Sequence, residues 1–155
     1  MPGQILQELK QTKPFTRLEE EALVSLARTA AVIEHAAEDM LGRHGITNTQ
    51  YNVLRILRGA GKNGRCRNEI GERMVRRVPD VTRLLDRLEA AGLVERERDG
   101  EDRRMVTARI TPEGLKLLTR LEEPLIAFQQ NCLAHLGPQK LRTLIDLLAA
   151  AREKL

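Results

Sequence analysis

The sequence predicts a mainly α-helical fold with one small β wing set past its middle. Three observations predict it. Val81, Leu84, Leu85 and Leu88 recur at i, i+3, i+4 and i+7 within residues 78–92, the spacing of an amphipathic helix. Two short runs, 93–98 and 105–110, then flank Asp99-Gly100, a strong hairpin-turn pair. Long apolar stripes occupy both ends of the chain. The central order of helix, tight turn, helix and hairpin is a helix-turn-helix followed by a wing.

Each element has a local reason. Residues 1–14 are polar and read as frayed at the start. Thr16-Arg17-Leu18-Glu19 fits a capping box, so a long helix over residues 17–43 follows. Its inward spacing is Leu23, Leu26, Ala30, Ile33 and Ala37, with many small neighbours. After the break at Gly42-Arg43-His44-Gly45, Thr47 caps a helix over 49–57, in which Tyr51, Leu54 and Leu57 share a face. GAGKNG (59–64) is a turn. Arg65-Cys66 reads as a short strand, and a helix over 68–74 points Ile70 and Met74 inward.

Val75-Arg76-Arg77 is the tight turn before the helix of 78–92. There Pro79 suits the first helical position, with Val78 as an unusual N-cap and Asp80 in the first turn. Gly92 ends the helix. In the return strand, Val106, Ala108 and Ile110 face one side. Thr111-Pro112-Glu113 starts another helix as N-cap, N1 proline and acidic N2. Its stripe is Leu115, Leu118, Leu121, Leu125, Phe128 and Cys132, with Pro124 expected to kink or interrupt it. Gly137-Pro138 stops it, and a last helix over 139–154 carries Leu141, Leu144, Ile145 and Leu148.

Aromatics make up 2% of the chain, so its core must be aliphatic. Two cysteines, Cys66 and Cys132, are too few for a disulfide framework. With no apolar run of transmembrane length or secretory leader, a cytoplasmic protein is expected. The net charge of +4 is unevenly placed. Residues 1–54 carry 5 basic and 7 acidic side chains, 55–87 carry 10 and 4, and 88–155 carry 11 of each. A local basic stripe is the footprint expected for nucleic acid, although an acidic protein partner would draw the same one.

The stretches TNTQYNVLRIL, NEIGERM, PDVTRLLDRLEAAGLVERERDGEDRR and ITPEG resemble the MarR family of bacterial winged-helix transcriptional regulators. The flanking helices match in placement, so the resemblance covers nearly the whole chain. It implies a winged helix-turn-helix at 47–111, between dimerisation helices at 1–46 and 112–155. In such a fold the second helix lies in the major groove. That assigns Asp80, Thr82, Arg83 and Arg87 to DNA, with Arg83 suited to guanine and Asp80 to a cytosine amine. Arg76 and Arg77 in the turn suit phosphates. By resemblance, Arg104 enters the minor groove while Asp102 orients it. Arg96, Arg98 and Arg103 add phosphate contacts. The free helix N–H groups left by Val78 could take a phosphate.

The resemblance also implies a homodimer on a pseudo-palindromic operator in double-stranded DNA, and a repressor released by a small-molecule effector. Tyr51 and the region 40–44 are effector-pocket positions by placement only. No cofactor, metal or membrane is expected. Other readings stay open: a winged helix used only for protein contacts, a redox switch at Cys66, which lies between Arg65 and Arg67, or at Cys132, and a metal sensor using His35, His44, His135 and the two cysteines. No catalytic triad, Walker motif or HExxH occurs, so an enzyme is not expected.

Overall fold

The computed structural model describes residues 3–98, Gly100, Asp102 and 104–155. Contacts divide the chain into two compact units, Met1–Asp39 and Met40–Leu155. The first holds α1 (Gln4–Glu8) and most of α2 (Leu18–Gly42). The N-terminal segment read as frayed therefore contains a helical turn. Ile5 is the apolar residue that fixes it, being buried. The Gly3 N–H also donates to Glu21 Oε1 at 3.2 Å. Glu19, Glu20 and Glu21 fill the first turn of α2, where the helix dipole favours negative charge.

The second unit runs α3 (Asn48–Ala60), β1 (Arg65–Cys66), α4 (Arg67–Arg73), α5 (Val81–Ala90), β2 (Val94–Arg98), β3 (Val106–Ile110), α6 (Pro112–Leu133) and α7 (Gly137–Arg152). Single 3-10 turns at 61–63 and 134–136 join neighbouring elements. α3 starts in a complete capping box. The Gln50 N–H donates to Thr47 Oγ1 at 3.2 Å, and Gln50 Oε1 accepts the Thr47 N–H at 3.0 Å. Val53, Leu54 and Leu57 of α3 are fully buried in one aliphatic core with Leu41, Ile70, Leu85, Leu88, Leu118 and Leu121.

The wing is larger than a hairpin. Its three antiparallel strands lie in the order β1-β3-β2, with Arg65 opposite Ala108 and Val94 opposite Ile110. Gly64 allows β1 to reach the free edge of β3. Its φ is +62°, and a Cβ there would lie 2.4 Å from the Ala108 carbonyl oxygen.

Three expectations are corrected. The helix read over 78–92 begins at Val81, and its N-cap is Asp80, not Val78. Pro79 biases Val78 away from helical geometry, and aspartate caps far better than valine. Asp80 Oδ1 accepts the Arg83 N–H at 2.9 Å, so one helix N–H offered above to a phosphate already has a partner. Next, of the kink or interruption expected at Pro124, the interruption does not occur, since α6 runs through it as one helix. Proline removes one helical hydrogen bond, while Leu121 and Leu125, on either side of it, both pack on the core. Finally, Leu115 is exposed and Leu117 is buried. Gly114 sets this rotation: it is packed so closely that a Cβ would lie 2.4 Å from the Leu93 carbonyl oxygen. The inward face is therefore 114, 117, 118, 121 and 125.

α7 has no buried residue, and its Ile145 and Leu147 are exposed. So are Leu23 and Val32 of α2. No helix among the described residues is long and apolar enough to cross a membrane.

Candidate nucleic-acid interface

α4 packs against both α3 and α5, and α5 packs against β2. This is a helix-turn-helix whose second helix abuts the wing. The inward stripe of α5 uses Leu85 and Leu88, so its opposite face carries Arg83, Asp86 and Arg87 outward. Thr82 is half-buried, and Arg67 at the start of α4 reaches it, Nη1 to Oγ1 at 3.5 Å. Asp80 remains exposed while capping the helix, so its carboxylate fixes the backbone beside Arg83. Arg76 and Arg77 lie exposed in the turn between Met74, which is buried, and Val78, which packs on the core.

α5 ends as its sequence predicts. The Leu93 N–H donates to the Leu88 carbonyl at 3.0 Å, and the Gly92 N–H to the Glu89 carbonyl at 2.9 Å. Gly92 supplies the required positive φ of +72°. Thr111 then ties this end to the base of the wing. Its hydroxyl donates to the Gly92 carbonyl at 2.7 Å and accepts the Gly114 N–H at 3.1 Å, and its N–H donates to the Leu93 carbonyl at 3.1 Å. One residue thus joins the end of α5, the end of β3 and the start of α6.

A second link was misread in the sequence. Arg96 was expected on phosphate, but its guanidinium lies across Asp86 and Glu89 of α5. Nη2 donates to Asp86 Oδ1 at 2.6 Å, and Nε and Nη2 each donate to Glu89 at 3.1 Å. The Arg96 side chain is only 20% exposed. Asp86 and Glu89 stand one helical turn apart on one face, and that i, i+3 pair of carboxylates was the available signal. The hydrogen bond from Arg96 lowers the Glu89 pKa, and the same bond raises that of Arg96.

A lowered folded pKa stabilises the fold above the ordinary carboxylate range, and that stabilisation is lost as pH falls through the folded value. Arg96→Met keeps the stem and deletes the charge. It is expected to return the Glu89 pKa upward in an NMR titration. It should also cost about 1 kcal/mol, because the partners are solvent-exposed. Hydrogen exchange along β2 should rise with it.

At the wing tip, the Arg104 N–H donates to Asp102 Oδ1 at 2.9 Å, and the Met105 N–H donates to the Asp102 carbonyl at 2.9 Å. Asp102 thus orients Arg104 through the backbone, and Arg104 is exposed. Arg98 is exposed at the end of β2 and lines a shallow cleft with Asn63, Thr107 and Arg109. Arg103 lies outside the described residues, as do Asp99 of the hairpin pair and Glu101 of the loop. Arg109 is a strut: Nε donates to the Lys62 carbonyl at 2.7 Å and Nη1 to Glu97 at 3.0 Å.

Cys66 and Cys132 are free thiols, each half-buried. Cys66 occupies the N-cap of α4, where Glu69 Oε2 accepts its backbone N–H at 3.0 Å. That bond is the main reason the Glu69 pKa is lowered. No group of three or more metal-ligating side chains occurs among the described residues. Tyr51 is half-buried and carries the Arg55 guanidinium 5.9 Å from its ring centre.

Fold and site together define a winged helix-turn-helix DNA-binding protein. Residues 44–105 match the MarR family model. The chain is 38% identical to a MarR transcription factor from Planctomyces limnophilus, covering 88% of this chain and 98% of that one, with a TM-score of 0.70. It shares its fold with Sco3205 of Streptomyces coelicolor, a MarR family regulator solved in complex with DNA (23% identity, 94% and 93% coverage, TM-score 0.76). It also shares it with BpsR of Bordetella bronchiseptica, whose DNA binding is regulated by 6-hydroxynicotinic acid (20% identity, 91% and 99% coverage, TM-score 0.78). The chain belongs to the MarR family of transcriptional regulators, which are not enzymes.

Proposed function

We propose that this regulator is a cytoplasmic homodimeric repressor that binds a pseudo-palindromic operator and is released by a small molecule. The observation that carries the DNA reading is the outward face of α5. Arg83 and Arg87 project from a helix capped by Asp80, and Arg96 and Thr111 tie that helix to the wing bearing Arg104. In this reading Thr82, Arg83, Asp80 and Arg87 meet base edges and nearby phosphates. Arg76, Arg77, Arg98 and Arg103 hold phosphates, and Arg104 enters the minor groove beside Asp102. The complex of Sco3205 with DNA supports this use of the fold.

The exposed apolar side chains of α2 and α7 support burial against a second copy. Two-fold symmetry would present two α5 helices to half-sites about 34 Å apart. Control of BpsR by a small aromatic acid supports release by an effector. The test is selection from random duplex DNA at two salt concentrations, with light scattering of the free protein. An inverted repeat with half-sites one turn apart, bound by a dimer, is the expected result. Binding that is sequence-blind and steep in salt would overturn it.

A further inference from the structure

We propose that Asn52 is a positioning residue for DNA binding, and that its side-chain amide sets the height and orientation of the turn joining the two helices of the helix-turn-helix. The proposal rests on the reading of that turn as a phosphate-binding segment. α4 ends at Arg73, and Met74 already has extended geometry, with φ −69° and ψ 139°. From Val75 onward the chain has left the helix that would otherwise accept its N–H groups. The anchors on either side are apolar: Met74 is buried and Val78 packs on the core.

Between those anchors, residues 75–77 project outward. The Val75 side chain is 94% exposed, so burial of that residue cannot hold the turn down. What reaches it is Asn52 of α3, 23 residues away in sequence, whose Oδ1 accepts the Val75 N–H at 2.9 Å. Asn52 follows Tyr51 and precedes Val53 and Leu54, which are fully buried, so its backbone sits on one of the firmest elements of this unit. The bond therefore references the turn to the core. Arg76 and Arg77 follow immediately, and a side chain attached to a tethered backbone loses less freedom on meeting a phosphate. Asn52 itself need not touch DNA. It acts through the register of its neighbours.

Asn52→Leu keeps the size and removes the acceptor, and Asn52→Asp keeps an oxygen at the same reach. Two readouts are compared in the full-length protein. One is hydrogen exchange at the Val75 amide without DNA. The other is the salt dependence of binding to the duplex recovered by selection. The expected result for Asn52→Leu is loss of Val75 protection, about five- to tenfold weaker binding, and a log K against log salt slope shallower by about 1. Asn52→Asp should retain both the protection and the slope. Unchanged Val75 protection in Asn52→Leu would overturn the proposal. So would equal affinity loss in both variants at an unchanged slope, because that pattern reports general destabilisation. Arg77→Ala in the wild-type background separates the two claims: if its slope is unchanged, the phosphate reading of the turn fails, whatever Val75 exchange reports.

Discussion

Gly64→Ala is expected to lower the unfolding free energy by about 2–5 kcal/mol, combining backbone strain with overpacking. Gly64 has φ +62° and ψ −168°, a region reserved almost wholly for glycine. A Cβ would lie 2.4 Å from the Ala108 carbonyl oxygen and 2.7 Å from Thr107 Cγ2. The carbonyl is backbone of the central strand, so it cannot swing aside as the end of a long side chain could. Gly61 provides the control. Its φ is +57°, yet nothing lies within 4 Å of a Cβ there. Gly61→Ala should cost only the strain, about 1–3 kcal/mol. The difference between the two midpoints in urea measures the clash. Equal losses would mean that β1 can withdraw from β3 at no cost. The functional consequence follows from chain order: β1 runs directly into α4, so its displacement moves the first helix of the helix-turn-helix.

The parts of this structure that were legible in the sequence are those decided by chemistry within a few residues. Thr47 before its helix, Thr111 before Pro112, and Gly92 after its helix each satisfy orphan backbone groups locally, and each stands where the sequence places it. Rotation about a helix axis was less legible. Leucines at 115, 117, 118 and 121 permit two overlapping stripes, and the close approach of Gly114 to Leu93 chose between them.

Long-range polar partners were least legible. Arg96 looked like one more cation in a basic wing until the fold brought it onto Asp86 and Glu89. Asn52 and Arg109 gave no sequence signal at all, because an amide in a helix and an arginine in a strand have countless surface uses. The outward residues of α5 were legible because that helix has one narrow apolar stripe, which leaves its other face defined by elimination.

Arg83→Ala and Arg104→Ala are expected to weaken DNA binding in two different ways. Arg83 lies in the first turn of α5, its backbone N–H held by the Asp80 cap, so its side chain leaves from a fixed point near the helix start. A bidentate arginine–guanine contact discriminates by about 1–3 kcal/mol. Removing it should reduce affinity for the selected duplex about tenfold or more while leaving binding to scrambled duplex nearly unchanged. Sequence preference should relax at one position per half-site. Arg104 leaves from the wing, its backbone N–H held by Asp102. A guanidinium in a narrow minor groove reads electrostatic potential, which is deepest in A-tracts. Arg104→Ala should therefore cost most on duplexes with A/T-rich flanks, with the central half-site preference intact and the salt slope shallower by about 1. The checks are titrations of both variants against four duplexes that combine selected or scrambled centres with A/T-rich or G/C-rich flanks. If both variants lose affinity equally on all four, neither side chain reads sequence as assigned, and the two arginines act as interchangeable phosphate contacts.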